Sequence, residues 1–453
     1  MTSTQHPTGQ NPTSIAMTRD NHYINRMPAT AIGLSDIALY IPKPRIDLKT
    51  ILDRRIADDP AQARRLPRAI DATGQQAIRF PESWEDSASL AGNAALRLLR
   101  PQDSGLPGPD LSRFRHLAVG TETGLDFSKP LSAYVSGMLR QAGFPLPVTH
   151  SSFQVQHACA GGTIAMMSVA SLLAVSGSAT DAGLVICSDI ARYQVPSSAE
   201  FTQGAGALAL LVEKSPRLVS IDLATPGYSS ADVDDFFRPL DSTIAKVKGQ
   251  YSMQCYNTAA EQAFADHCRQ LGRDQADVLR ETDIFVFHVP FAKMAYTAAR
   301  QLLSQHLGII DGEVDEFLAK RHFFVPLETT AAVGNIYTGA SFLNLRANLQ
   351  EAYRHYGKDI VGKRILFTSY GSGNTMIVMS MTVQPDAPAV IASWPVDEAL
   401  AGQRTVGFDE YLSWVTNGAR PASQNGTEDG IPSGLCYLRA IREDGYREYG
   451  VKS

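Results

Sequence analysis

The sequence predicts an α/β protein built as two similar halves. Three observations carry that expectation: short apolar runs alternate with helical stretches, the order strand, small-residue turn into helix, strand, Gly-rich turn, strand occurs twice, and 453 residues is about three times the usual ~150-residue domain. At 44% hydrophobic and 19% charged the chain has the apolar content to bury a large core and lacks the polar composition of a disordered one.

Residues 1–30, rich in Thr, Asn, Gln and Pro without an apolar signal-peptide core, are expected to be a disordered tail. In the first half, 31–220, the alternation Ile37, Leu39, Ile41 predicts a strand that the breakers Pro42 and Pro44 end. Leu90, Ala94, Ala95 and Leu98 have helical spacing and predict a helix over 86–99. HLAVGTE, 116–122, predicts a buried strand with a carboxylate, Glu122, at its end. SSFQVQHACAGGTIAMMSVASLLAVSG begins extended and switches near 158–162 into an apolar helix reaching about Val175. Ser168 and Ser171 interrupt that helix, which is shorter than the ~20 residues of a bilayer span, so no membrane helix is expected. LVICSDI and AGALALLV complete the half as buried strands.

The second half, 221–386, repeats the plan. IFVFHVP, 284–290, predicts a strand with His288 at its end, GNIYTGASFLNLRANL a Gly-led turn into a helix, and RILFTSY with 375–383 a strand pair around GSG. Residues 387–453 mix Pro, Gly and charge with one strand-like run, CYLRAI, and are expected to form a C-terminal appendage on the core. Alternation alone is common in α/β chains. Here Glu122 and Cys159 fall in one half and His288 and Asn335 in the other, each at a strand end or helix start, so a pocket between the halves would collect all four.

Forty-one Lys and Arg against forty-six Asp and Glu leave a formal charge of −5, with no global basic surplus to favour a nucleic-acid backbone. The five cysteines are odd in number and never arranged as CxxC, which argues against a disulfide framework or a zinc site and fits a reducing cytoplasm.

A cysteine at a strand-to-helix switch, flanked by Ala158, Ala160, Gly161 and Gly162, stands where amides and the helix dipole stabilise a thiolate and an oxyanion. An ordinary buried cysteine is the competing reading for Cys159; the small neighbours favour a nucleophile. His288, before Val289-Pro290 and five residues before Lys293, is the best acid/base candidate, against a core histidine bonded to a carbonyl. Desolvation at a strand end would raise the pKa of Glu122 toward that of a useful base, against a capping or salt-bridge role. Asn335 is a turn residue or a site residue on its local sequence, and Lys293 is solvated or functional.

In order along the chain, VGTETGLDFSK, ACAGGT, SDIARY with TQGAGA, DDFFRP, YSMQCY, FHVPFAKM, GNIYTG and FTSYGSG resemble the 3-hydroxy-3-methylglutaryl-CoA synthases of the thiolase superfamily. The resemblance spans residues 32–383, with a looser match at the terminal GYREYG. It implies a thiolase fold, a duplicated αβαβα layering of two similar five-stranded halves, working as a homodimer without metal or bound cofactor. It also implies that Cys159 is acylated by acetyl-CoA, Glu122 removes a methyl proton, and His288 hydrogen-bonds and protonates the ketone oxygen of acetoacetyl-CoA. Tyr193, Thr202, Lys293, Asn335 and Ser372 match substrate or CoA contacts.

The chain departs from the family at Ala160, where Tyr is usual and where the smaller residue is expected to enlarge the pocket or remove a wall. It departs again at Lys248, where the family reads Asp, and at Thr297, often basic. These departures leave room for a related enzyme using an acyl carrier protein, as in polyketide β-branching. A Claisen-type ketoacyl synthase or acyltransferase also fits the Cys-Ala-Gly pattern, although it would need no Glu122. A silent acyl-binding scaffold is a further reading, against which the intact Glu122, Cys159 and His288 stand.

Overall fold

Runs that are apolar on both faces form strands that helices cover on both sides. In the computed structural model, which describes residues 31–100, 108–176, 178–395 and 401–453, ten strands form one mixed sheet. The first five are β1 (Ile32–Tyr40), β2 (Phe114–Gly120), β3 (Ser151–Val155), β4 (Ala182–Ala191) and β5 (Gly204–Lys214). The next five are β6 (Val219–Ile221), β7 (Gly227–Ser230), β8 (Ile284–Val286), β9 (Arg364–Gly371) and β10 (Thr375–Val383). The order β8-β9-β10-β6-β1-β5-β4-β2-β3, with β7 also on β10, puts five strands from 32–214 on one side and five from 219–383 on the other. They meet where β1 pairs with β6 through Gly33↔Ser220 and Leu34↔Val219. The expected tail, 1–30, lies outside the described residues.

Seven helices matter to the site: α1 (Arg65–Thr73), α2 (Ser87–Leu99), α3 (Leu131–Gln141), α4 (Gly161–Val175), α5 (Gly249–Leu271), α6 (Ala292–Leu307) and α7 (Ala340–Tyr356). Side chains of α4 and α7 share one core with strands of both five-stranded sets, so these helices lie between them. On the outer faces, α2 and α3 pack on the first set and α5 and α6 on the second. The result is an αβαβα stack. The 18 residues Ala158–Val175 are apolar enough to cross a bilayer by length and composition. Their Ala165, Met166, Val169 and Leu173 are instead buried against β-strands, which makes α4 a core helix.

Local chemistry explains the element ends. Asp86 caps α2 by accepting from the amides of Ala88 and Ser89 at 3.1 Å, and its other oxygen accepts from Arg447 and Tyr449, which ties the C-terminal hairpin (Cys436–Ile441 with Arg447–Val451) to the first half. Two strands are shorter than their sequences predict. Past Gly120 the Thr121 amide still donates to the Val155 carbonyl of β3, and β2 ends there because the amides of Glu122 and Thr123 donate to the Asp189 carboxylate rather than to a ladder. β8 stops at Val286 because Asn344 donates to the Phe287 carbonyl, Tyr256 donates to that of His288, and the His288 amide donates to Thr368 Oγ1. Side chains satisfy the backbone there, and both segments are free to leave the sheet.

Candidate active site

Cys159 sits in the turn between β3 and α4, after Ala158 in the left-handed region (φ 41°) and just before the helix start at Gly161. The two glycines that follow are required by packing. A Cβ on Gly162 would lie 2.4 Å from Cys187 Sγ, and one on Gly120 2.4 Å from the Gly162 backbone, so only bare backbone lets α4 start this close to β2.

The Cys159 thiol opens on a cavity of ≈ 710 Å³ that His288, Tyr193, Thr202, Asn335 and Ser372 also line. Tyr193, Phe236 and Tyr337 make an aromatic wall around it, with ring centroids 5.7–6.4 Å apart. The motifs TQG and GNIYTG are two sides of one contact: the Asn335 amide donates to the Thr202 carbonyl at 3.1 Å, and Asn335 Oδ1 accepts from the Tyr337 amide at 2.8 Å. Gly334 (φ +95°) has no room for a side chain, because a Cβ would come 1.9 Å from the Gln203 carbonyl.

Glu122 is buried (6% exposed) beside this cavity without lining it. Its Oε1 is 3.0 Å from Arg238 Nη2, and its Oε2 has no hydrogen-bond partner. Burial pushes its pKa up to about 8, against the pull of Arg238 and with a further push from Asp189. The raised carboxyl expected from the sequence is present.

Cys159 corrects the expectation of a stabilised thiolate. Burial, then the negative charges of Glu122, Asp189 and Asp235, push its thiol well above the ordinary value. These effects outweigh the amides at the start of α4, so the resting group is S–H. His288 is corrected too. It is completely buried, its Nδ1 is 3.3 Å from Ser341 Oγ and its Nε2 is unpartnered. Burial holds its pKa down to about 3, so at neutral pH it is an uncharged imidazole able to hydrogen-bond but not an imidazolium acid.

Lys293 lies apart from this cavity. Its Nζ donates to the Asp71 carbonyl in α1, and it lines a separate cavity of ≈ 640 Å³, while the Thr297 hydroxyl donates to the Lys293 carbonyl at 2.8 Å. Ala160 differs from expectation: it is fully buried, does not line the active cavity, and its Cβ stands 2.8 Å from where a Cβ on Gly371 would be. Its small size admits the β9 end rather than widening the pocket. Lys248 pairs with Asp234.

Three residues that hold the site escaped the sequence reading. Asp189, fully buried, accepts from the amides of Glu122, Thr123 and Thr338 at 2.8–3.0 Å and from the hydroxyls of Thr121, Thr123 and Thr338 at 2.5–3.0 Å. It thereby fastens the Glu122 loop to the turn after Asn335. The signal that could have found it is a carboxylate inside the otherwise apolar run LVICSDI. Asp235 does similar work opposite, accepting from Tyr370 Oη at 2.8 Å and the Gly373 amide at 2.9 Å. Arg238, from the same DDFFRP block, is the partner of Glu122. Elsewhere His322, Glu351 and His355 bring possible metal-ligand atoms within 4.8 Å of one another, but Arg354 and His355 already engage Glu351 and none of the three lines the active cavity.

Family models agree with this architecture. One described as hydroxymethylglutaryl-coenzyme A synthase N terminal matches residues 29–216, and its C-terminal counterpart matches 221–308 and 313–452. A hydroxymethylglutaryl-CoA synthase of Haloferax volcanii is 28% identical over 420 residues, 84% of this chain and 90% of that protein. The polyketide biosynthesis 3-hydroxy-3-methylglutaryl-ACP synthase PksG of Bacillus subtilis is 27% identical over 349 residues, 74% of this chain and 78% of its own length. Among solved structures, MvaS in complex with 3-hydroxy-3-methylglutaryl coenzyme A superposes with a TM-score of 0.78 at 31% identity, covering 93% of this chain and 99% of that one. The curacin-pathway HMG synthase in complex with holo donor-ACP superposes with a TM-score of 0.79 at 25% identity, covering 93% and 100%. The layered stack is thus the thiolase-like fold, and the chain belongs to the hydroxymethylglutaryl-coenzyme A synthase family.

Proposed function

We propose that the enzyme condenses an acetyl group held on Cys159 with acetoacetyl thioester to give 3-hydroxy-3-methylglutaryl thioester. The observation that carries this reading is that the Cys159 sulfur and an unpartnered imidazole nitrogen share one cavity, with a half-unpaired carboxylate buried beside it. Cys159 attacks the acetyl carbonyl; its S–C bond forms, the donor's S–C bond breaks, and the thiol proton leaves with the donor thiolate. Glu122 takes a proton from the acetyl methyl, and the carbanion attacks the acceptor ketone. The neutral His288 Nε2–H hydrogen-bonds the developing alkoxide, and the proton held by Glu122 ends on the new hydroxyl, so no external acid is consumed. Water then cleaves the Cys159 thioester. Atoms and electrons balance with thioesters and water alone.

The thioesters are read as those of CoA, a reading supported by the relative solved in complex with 3-hydroxy-3-methylglutaryl coenzyme A. The division into halves near residue 220 is supported by the gap between the two matched family models. Five unpaired cysteines support a reducing, cytoplasmic location. The open edge of β3, beside the exposed Leu172 and Val175 of α4, supports a homodimer, checked by sedimentation.

Intact-protein mass spectrometry after acetyl-CoA tests the reading: an acetyl increment on Cys159 is expected, and its absence from Cys159 overturns the reading. His288→Ala should slow use of acetoacetyl thioester more than donor loading; the reverse order would reassign the histidine. Arg238→Met removes the cation that lowers the Glu122 pKa. The rising limb of the condensation pH profile, expected near pH 8, should then move to higher pH; an unmoved limb would detach Arg238 from the base.

A further inference from the structure

The wall that Tyr193 contributes to the active cavity is held from outside it. The cavity lining ends at Ser372, so among the described residues the C-terminal segment gives it no side chain. That segment nevertheless reaches the stretch 192–203 through the helix Phe408–Asn417. Tyr411 of this helix is fully buried, its ring packed among Phe80, Phe408 and Trp414 at centroid distances of 5.9–6.0 Å. Its hydroxyl donates to Glu200 Oε1 at 2.9 Å and accepts from Gln203 Nε2 at 2.7 Å, and Gln203 Oε1 accepts from the Tyr193 amide at 2.9 Å. Glu200 and Gln203 are fully buried as well.

The direction of each bond follows from what each group can donate or accept. Arg55 grips Glu200, its Nη2 donating to Oε1 at 2.7 Å and its Nε to Oε2 at 3.1 Å, so the carboxylate accepts from Arg55 and Tyr411 alike. The Tyr411 proton is thereby committed to Glu200 and its oxygen is left to accept. The Gln203 side chain must then turn its NH₂ to Tyr411 and its oxygen to Tyr193. Neither end of the chain of bonds has slack. The Gln203 backbone is packed against Gly334, and the Arg192 guanidinium donates to the Trp414 and Val415 carbonyls in the last turn of the same C-terminal helix, where a cation also suits the helix dipole.

We propose that Tyr411 is a positioning residue for this reaction: without touching substrate, it orients Gln203 and through it holds Tyr193 in the aromatic wall beside Cys159. The inference rests on the reading of Cys159 as the acyl acceptor. Tyr193 makes that wall with Phe236 and Tyr337, and the adjoining Thr202 and Asn335 line the same cavity. In Tyr411→Phe the Gln203 NH₂ loses its acceptor in the interior, where an unpaired donor is costly, and the side chain is no longer held toward Tyr193. The Tyr193 backbone then gains freedom and the wall fits the thioester less closely. Binding of the thioester, rather than the chemistry at sulfur, should suffer.

Hydrogen-exchange mass spectrometry of the full chain reads the link without substrate. In Tyr411→Phe, which keeps the buried ring, peptides covering 191–195 should exchange faster while those within α4 are unchanged. Unchanged exchange at 191–195 overturns the proposal. In single-turnover acetylation of Cys159, the half-saturating acetyl-CoA concentration should rise about three- to tenfold, the range set by one hydrogen bond, with the limiting rate within about twofold of wild type. A fall in the limiting rate alone overturns it. Gln203→Met should give the same rise, and the double variant no more than the larger single effect; additive effects mean two independent actions and overturn the link. Val406→Ala, in the same apolar cluster as Tyr411 but outside these side-chain hydrogen bonds, should lower the melting temperature and leave the half-saturating concentration unchanged. An equal rise in that variant would make Tyr411 merely structural and overturn the proposal. If the wild-type protein takes no acetyl group on Cys159, the reading of the site fails, and the exchange measurement by itself decides the link.

Discussion

Glu122→Gln keeps its acetyl group on Cys159 and does not use it. The substitution preserves the side-chain shape and an oxygen for Arg238, which donates to Oε1 at 3.0 Å, and removes only the capacity to take a proton. Donor loading needs no carbanion and should continue, while consumption of the acetyl-enzyme by acetoacetyl-CoA should fall by roughly 10²–10⁴-fold, the usual contribution of a positioned base. Time-resolved intact mass spectrometry reads both steps in one experiment, and condensation at the wild-type rate would remove Glu122 from its role. A second readout follows from linkage. The folded-state pKa of about 8 lies above the ordinary 4.5, so the folded protein binds this proton more tightly than the unfolded chain. That contribution to stability is present below about pH 4.5 and is lost as pH rises through about 8. The glutamine variant, which cannot ionise, should lose less melting temperature than wild type between pH 5 and 9.

Asp189→Asn should be the most damaging substitution outside the cavity lining. The carboxylate is surrounded by three amides and three threonine hydroxyls on both of its oxygens. Burial pushes its pKa up, and those donors act in the other direction, the hydroxyls of Thr338 and Thr123 foremost and then the amides of Thr338 and Glu122. An asparagine NH₂ must face one set of donors, leaving buried N–H and O–H groups opposed to another donor. At about 1.5–3 kcal/mol for a hydrogen bond to a charged group, a loss of about 3 kcal/mol or more is expected in chemical denaturation. Asp189 positions the base without touching substrate, so in the surviving folded fraction condensation should fall further than acetylation of Cys159. Equal falls would make its role purely structural, and unchanged stability would contradict the network.

The strands and helices were largely legible because their residues report local periods. The helix over 86–99 has its spacing and its Asp86 cap in one stretch, and β4 and β5 are mostly apolar runs, broken in β4 by Ser188 and Asp189. Strand ends were not legible. β2 and β8 stop early because side chains from distant segments, Asp189, Asn344, Tyr256 and Thr368, take over their backbone groups, and no local pattern records a partner far along the chain. The same reason hid Arg238, whose significance is a carboxylate more than a hundred residues earlier in sequence.

Sequence by itself determined the residue types, their order and the family motifs: Glu122, Cys159 and His288 at element boundaries, and the paired small residues of TQG and GNIYTG. Tertiary structure decided their chemical states and their company. Burial made the Cys159 thiol harder to ionise and His288 neutral and raised Glu122 to about 8, while the packing of the elements kept Ala160 off the cavity lining and put Lys293 against the Asp71 carbonyl. The physical reason is that protonation depends on the desolvation and charge around a group. Those surroundings are assembled from remote segments only when the layers close.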